Sequence, residues 1–238
     1  MLGDDLVELL GDAIPADHHR QTLADDLLLT HYARLARAGE GGRVLDLGCG
    51  AGDSVEQFRS LNPDVAWLGV DLERSPEVAT RTRTDAEFRT FDGRSIPAGD
   101  GSLDVVYCKQ VLEHVEAPRP LIADVARVLR PGGLFMGSTS QLEPYHSLSV
   151  GNITPYGLKR LVDDAGMELT EVRPGLDGVT LIAHRALGMP AITRRYWARE
   201  SPPNRVVGLA ARAGRIGTRQ ANAIKLLLCG QYAFVARR

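Results

Sequence analysis

Cysteine, aromatic residues and long apolar runs are all scarce in this chain of 238 residues. Its three cysteines, Cys49, Cys108 and Cys229, show no C-x-x-C spacing, which excludes a disulfide framework and a cysteine-based zinc site. Small buried hydrophobes are the expected role for such thiols, and a reduced, cytoplasmic compartment fits them. No apolar run approaches the length of a membrane span. The opening stretch, MLGDDLVELLGDAI, is acidic where a secretory signal would be basic. A net charge of −2 removes any global case for nucleic acid or membrane affinity. With 44% hydrophobic and 24% charged residues, the chain has the composition of one packed globular domain.

Short apolar runs alternate with longer helical patterns. RVLDL (43–47), AWLGVD (66–71), AEFRTF (86–91), LDVVYC (103–108), LFMGST (134–139), MELTEV (167–172) and YAFVA (232–236) read as strands. DSVEQFRSL (53–61) and PLIADVARVL (120–129) read as helices, and the second sets Leu121, Ile122, Val125, Val128 and Leu129 on one face. The RPGG at 130–133 stops that helix. Strand–helix alternation predicts an α/β fold with a mostly parallel sheet and helices on both faces.

Two segments stand outside this rhythm. Residues 1–40 read as a helical cover ahead of the first strand. Residues 185–225 carry eight arginines and Lys225 against the single acid Glu200, a local charge of +8. The readings open for that stretch are a solvated or subunit-contacting helical face, a site for an acidic or polar substrate, RNA binding, and an anionic lipid surface. Its apolar and basic character also makes it a candidate homodimer contact. The expected layout is one domain over 1–238: cover 1–40, core sheet 41–175, Arg-rich helical insertion 176–229 and last strand 230–238.

The first strand ends in VLDLGCGAGD (44–53), which reads D-x-G-x-G-x-G through Asp46, Gly48, Gly50 and Gly52. The turn after the first strand of a doubly wound sheet is a usual ligand site, and glycines let backbone and ligand approach while N–H groups supply donors. A dinucleotide fingerprint would need a third glycine at position 53, where Asp53 stands with the wrong sign for a pyrophosphate. The loop suits a ligand with a positive centre instead. Asp71 closes the second strand, where an acid can accept both hydroxyls of a ribose, and Asp92 follows the third, where it can accept from an exocyclic amine.

The segments VLDLGCGAGD, VDLE, FDGRSIPAGDGSLDVVYCKQVLEHV and VLRPGGLF resemble class I S-adenosylmethionine-dependent methyltransferases of the small-molecule branch, over about residues 43–140. The resemblance implies a doubly wound sheet of seven strands with the last antiparallel, which QYAFVARR fits. It also implies S-adenosylmethionine as cofactor. Asp46, Gly48, Cys49 and Gly50 would then lie beside its methionine portion, Asp71 on the ribose and Leu72 near the adenine. Asp92 and Gly93 would meet the adenine amine and ring, with Lys109 and Gln110 closing over the sulfonium end.

With such a donor the protein orients and deprotonates the acceptor. Candidate bases are His146 and Glu143 in QLEPYHSLSVGNITPYG (141–157), and His114 in LEHV, which is expected on the helix after strand four. Glu113, His114, Glu143 and His146 would serve a cation such as Mg²⁺ if they converged. The stretch EPYHSL…NITPYGLKRLVDDAG is similar to polysaccharide-associated sugar O-methyltransferases of the methylmannose-polysaccharide 1-O-methyltransferase type, which implies a sugar or oligosaccharide hydroxyl as acceptor. The alternatives are a phenol, quinone precursor or natural product, and, in another class, a cofactor-binding module without turnover. No nucleic-acid acceptor is expected, because Cys108-Lys109-Gln110 stands where amine-methylating nucleic-acid enzymes carry D/N-P-P-Y.

Overall fold

The computed structural model of the chain describes residues 2–17, 21–144, 148–197 and 199–238. Among these, β1 (Arg43–Leu47), β2 (Ala66–Asp71), β3 (Glu87–Thr90), β4 (Leu103–Lys109), β5 (Leu129–Ser140), β6 (Glu168–Pro174) and β7 (Gln231–Arg237) form one seven-stranded sheet. Its order is β3-β2-β1-β4-β5-β7-β6. Neighbours from β3 through β5 run parallel, and β7 runs antiparallel to both β5 and β6. The helices are α1 (Asp4–Leu10), α2 (Ala24–Leu27), α3 (Ala33–Arg37), α4 (Ser54–Leu61), α5 (Pro76–Ala79), α6 (Pro118–Val128), α7 (Pro155–Asp164), α8 (Gly178–Ala186), α9 (Ala191–Arg194), α10 (Pro202–Arg212) and α11 (Thr218–Leu228). None is long and apolar enough to cross a membrane among the described residues.

The apolar strands are explained by burial on both faces. Side chains alternate across each strand, so neighbours enter different cores. Leu45, Val106, Cys108 and Phe135 pack with Ile122 and Val125 of α6 and Leu158 of α7. Val44, Val105, Tyr107 and Met136 pack on the other face with Leu27 of α2 and Val55 and Phe58 of α4. Cys49, Cys108 and Cys229 are buried and unpaired. Burial pushes the Cys49 thiol up to about 12, which makes it inert at neutral pH.

Several strand ends move by one or two residues, and three further expectations change. β5 begins at Leu129 rather than 134, since Leu129 pairs with Leu103 directly after α6 ends. α6 starts at Pro118, where proline at the first helical position needs no N–H partner. His114 is not on that helix. It closes a single tight turn, Leu112–His114, because a residue before proline resists helical geometry and bars a helix running through Ala117 into Pro118.

The cover and the segment between β6 and β7 are woven together. Asn222 Nδ2 donates to Pro15 O at 2.8 Å, Ser201 N to Gln21 Oε1 at 3.0 Å, and Gln220 Nε2 to Asp4 Oδ1 at 2.8 Å. The cover also reaches β6: Thr22 N donates to Pro174 O at 2.9 Å, and His31 Nε2 lies 3.0 Å from Glu171 Oε2. Burial alone would raise the Glu171 carboxyl, but His31 and Arg173 bring it down to about 2. Pro174 pairs with Tyr232 and Ser140 with Gln231, so the α8–α11 segment leaves and rejoins the sheet at the edge where β5 ends.

Candidate active site

β1, β2, β4 and β5 all terminate at this carboxyl edge. The loop after β1 has positive φ at Gly48 (73°) and Gly52 (87°), a region that side chains rarely adopt. A Cβ on Gly48 would lie 2.3 Å from Val111 Cγ2, and one on Gly52 would lie 2.9 Å from the Phe88 ring. The close approach that requires these glycines is therefore made by the protein's own side chains. Four of the loop's N–H groups are also engaged. Gly48 and Cys49 donate to Val70 O at 2.8 and 3.2 Å, Gly50 to Asp71 Oδ2 at 2.7 Å, and Gly52 to Cys49 O at 2.8 Å. These four donors are taken up within the protein, and the alternating glycines wrap the end of β2.

Acids supply the polarity of this half. Asp46 is buried, and its Oδ2 accepts from Ser54 Oγ at 2.5 Å while Ser54 Oγ accepts from Trp67 Nε1 at 3.0 Å. Burial raises the Asp46 carboxyl to about 7, against the opposing pull of Ser54 and Lys109. Asp71 Oδ1 accepts its neighbour Leu72 N at 2.7 Å, so each of its oxygens carries one backbone partner. Asp92 Oδ1 accepts from Arg94 N at 2.8 Å and Ser95 N at 2.7 Å, and these bonds hold its carboxyl below the usual range. Leu72 is 47% exposed, and its Cδ2 lies 3.6 Å from where a Cβ on Gly93 would stand. The structure thus gathers Asp46, Gly48, Cys49, Gly50, Asp71 and Leu72 at adjoining strand ends, with Asp92 and Gly93 alongside.

Lys109 ends β4, and its Nζ lies 2.8 and 2.9 Å from the two oxygens of Asp25 on α2. Tyr107 Oη donates to the same Asp25 at 2.9 Å. Asp25 and Arg81 were not anticipated from sequence. Arg81 donates through Nε and Nη2 to Gly50 O at 2.9 and 2.6 Å and lies 4.0 Å over the Phe88 ring, clamping the loop from outside. Neither residue belongs to a motif. Gln110 has φ of 56°, rare for a side-chain-bearing residue and costly by about 1–3 kcal/mol, a form of strain common at functional sites. Its Nε2 donates to Ser138 Oγ at 3.0 Å, and its Oε1 lies 3.3 Å from Ser140 Oγ.

A second acidic group lies beyond β4 and β5. Glu113 and Glu143 are both buried. The Ser140 hydroxyl sits between them, 3.0 Å from Glu113 Oε1 and 2.7 Å from Glu143 Oε2. Thr139 Oγ1 donates to Glu113 Oε2 at 3.0 Å. Glu143 further accepts from Arg185 Nη2 of α8 at 2.7 Å and Gln231 Nε2 of β7 at 2.6 Å. His114 follows Glu113 in the chain and is half-buried, and His146 lies outside the described residues. Among the described residues no three histidine, cysteine or acidic side chains gather as a metal site, so the conditional Mg²⁺ reading finds no support there.

The donor set is acidic at three strand ends and offers apolar contact at Leu72, which fits a cationic adenosine-bearing cofactor. A family model described as a methyltransferase domain matches residues 45–137. The ubiquinone biosynthesis O-methyltransferase of Acinetobacter baumannii is 30% identical over 177 residues, covering 68% of this chain and 74% of the relative. Among solved structures, the cyclase SpnF superposes with a TM-score of 0.57 at 20% identity over 98% of this chain and 93% of its own. Phosphoethanolamine N-methyltransferase 2 of Haemonchus contortus, solved with S-adenosyl-L-methionine, superposes with a TM-score of 0.56 at 16% identity over 90% of this chain and 52% of its own. The fold alone therefore accommodates cyclisation and both N- and O-methyl transfer, and the acceptor has to be argued from the site.

Proposed function

The chain belongs to the class I S-adenosylmethionine-dependent methyltransferases, and from that premise we propose that it methylates the hydroxyl of a small phenolic or quinone-precursor acceptor. S-adenosylmethionine supplies a methyl group already activated on a sulfonium sulfur, so the protein's share is to bind, align and deprotonate. In this reading Asp71 receives the ribose hydroxyls on the lone pairs that Gly50 and Leu72 leave open. Leu72 and Gly93 flank the adenine, and Asp92 accepts its amine through Oδ2. Asp46, Gly48, Cys49 and Gly50 border the methionine portion, and Lys109 and Gln110 border the sulfonium end. The interwoven cover and insertion support one catalytic unit over 1–238.

The observation that carries the acceptor class is the engagement of Glu113 and Glu143. Their oxygens already meet two hydroxyls, an amide and a guanidinium. Neither is a bare carboxylate ready to take a proton from a sugar hydroxyl, whose affinity for that proton is very high. A phenol, ionising near pH 10 as tyrosine does, needs far less help. The name of the Acinetobacter relative supports the same direction. His146 is the proposed proton acceptor. Glu143, whose backbone carbonyl accepts from Asn152 Nδ2 at 3.1 Å, is the proposed positioning residue for its loop, with His114 beside it.

Methyl transfer from labelled S-adenosylmethionine to dihydroxyphenols, to mono- and oligosaccharides and to RNA, with and without Mg²⁺, tests this. Transfer to phenols independent of Mg²⁺ is expected. Transfer confined to a saccharide would overturn the acceptor class and restore the reading implied by residues 143–166.

A further inference from the structure

Helices α8 and α10 bury Leu181 and Ala211 but also carry large aliphatic side chains on their outer faces. On α10 the buried side chains include Asn204, whose Nδ2 donates to Gly175 O at 3.1 Å, while Val206 and Leu209 stand 68% and 61% exposed. Arg205 and Arg212 are exposed on that same outer face, at the spacing of one helical stripe. On α8 Thr180 and His184 turn inward, whereas Val179 and Ile182 are 66% and 51% exposed. Leu187 and Ile192 follow at 69% and 65%. Isolated exposed apolar residues are ordinary, but this many within residues 179–209 mark an interaction surface.

The charge of the segment names the partner. Arg185, Arg219 and Lys225 pair with Glu143, Asp12 and Glu200. Arg194, Arg195, Arg199, Arg205, Arg212 and Arg215 are exposed, and among the described residues no acid pairs with them. The segment's single acid, Glu200, is held by Lys225. A symmetric contact with a second copy would bring arginine against arginine. Nucleic acid would take the arginines but has no use for bare aliphatic side chains, and it favours aromatic platforms. Here Trp197 packs on His184, with ring centres 4.7 Å apart.

We propose that the outer faces of α8 and α10 form a docking surface for an anionic lipid bilayer. The arginines meet headgroup phosphates while Val179, Ile182, Val206 and Leu209 enter the acyl boundary. The α8–α11 segment departs from and returns to the carboxyl edge, so docking holds the candidate active site close to the bilayer. This surface does not depend on the acceptor proposed above.

The test is co-sedimentation of the full chain with vesicles of phosphatidylcholine alone and of phosphatidylcholine mixed with phosphatidylglycerol. Retention only on the mixed vesicles, weakened by salt, is expected. The double variants Arg205→Ala/Arg212→Ala and Val206→Ser/Leu209→Ser should each reduce it about tenfold or more, the former because each basic residue near an anionic surface is worth roughly five-fold in affinity. All four positions lie on the exposed face, so an unchanged circular dichroism spectrum and urea midpoint separate lost docking from lost fold. No retention on anionic vesicles, retention unaffected by either double variant, or retention displaced by RNA at equal charge would each overturn the proposal. So would a dimer in light scattering that Val206→Ser/Leu209→Ser dissociates, if vesicles are not bound.

Discussion

The glycine loop and its acids are tied by partners close in the chain or one strand away: Asp46 to Ser54, Gly50 to Asp71, Asp71 to Leu72. At the other end of the same edge, Glu143 is held by Arg185 from α8 and Gln231 from β7, and Lys109 by Asp25 from the cover. The hydrogen bonds of Asp46, Gly50 and Asp71 in the first region need only β1, β2 and the start of α4. The second exists only when the cover, the sheet and the late helices have all closed. In the proposed reading the cofactor site is largely a local motif, while the acceptor side is drawn from across the chain.

The sharpest way to break this comparison is to injure each half and read both. Asp71→Ala is expected to weaken S-adenosylhomocysteine binding about 100-fold by calorimetry, as two hydrogen bonds to a charged group are lost, and to leave the Glu143 region intact. Arg185→Ala should leave that affinity unchanged but lower stability by about 2 kcal/mol in urea unfolding, because it strands a buried carboxylate. Adding Glu143→Gln should recover most of that loss. If Arg185→Ala alters cofactor affinity as strongly as Asp71→Ala, the two halves are not separable.

Asp46 offers a pH test confined to the first half. Its folded carboxyl is raised from 3.8 to about 7. Between those values the folded state holds a proton that the unfolded chain has released, so stability falls as pH rises through that window. Asp46→Asn should remove a slope of up to about 1.4 kcal/mol per pH unit, seen in urea midpoints measured from pH 4 to pH 8. The smallest effect is expected at the join of cover and sheet. Tyr107→Phe removes one hydrogen bond to Asp25 and leaves the Lys109 pair, for a loss of about 0.5–1 kcal/mol. A much larger loss would mean that Asp25 is anchored chiefly through Tyr107.

Legibility followed the same division. The boundaries of β1 and β2 were readable to the residue, because both are apolar runs closed by an acid and a turn. The residues expected to hold the cofactor could be proposed from sequence because they follow strand ends in order. His114 was expected on the helix after strand four, but α6 begins only at Pro118 and His114 closes a tight turn ahead of it. Glu143 was read as a base from its loop position, and only its partners at positions 185 and 231 reveal how engaged it is. Asp25 carries no signal at all, standing beside Asp26, which caps α2 by accepting from Leu23 N.

Periodicity, glycine spacing and the acids after β1, β2 and β3 determine the sheet, its layering and the class of cofactor, since these depend on local backbone geometry and on which faces must be buried. Which carboxylates are bare, which arginines remain without an acid, and which aliphatic side chains stay in water were decided only by tertiary structure. Those properties are set by neighbours tens of residues away, and no local pattern along the chain encodes who they will be.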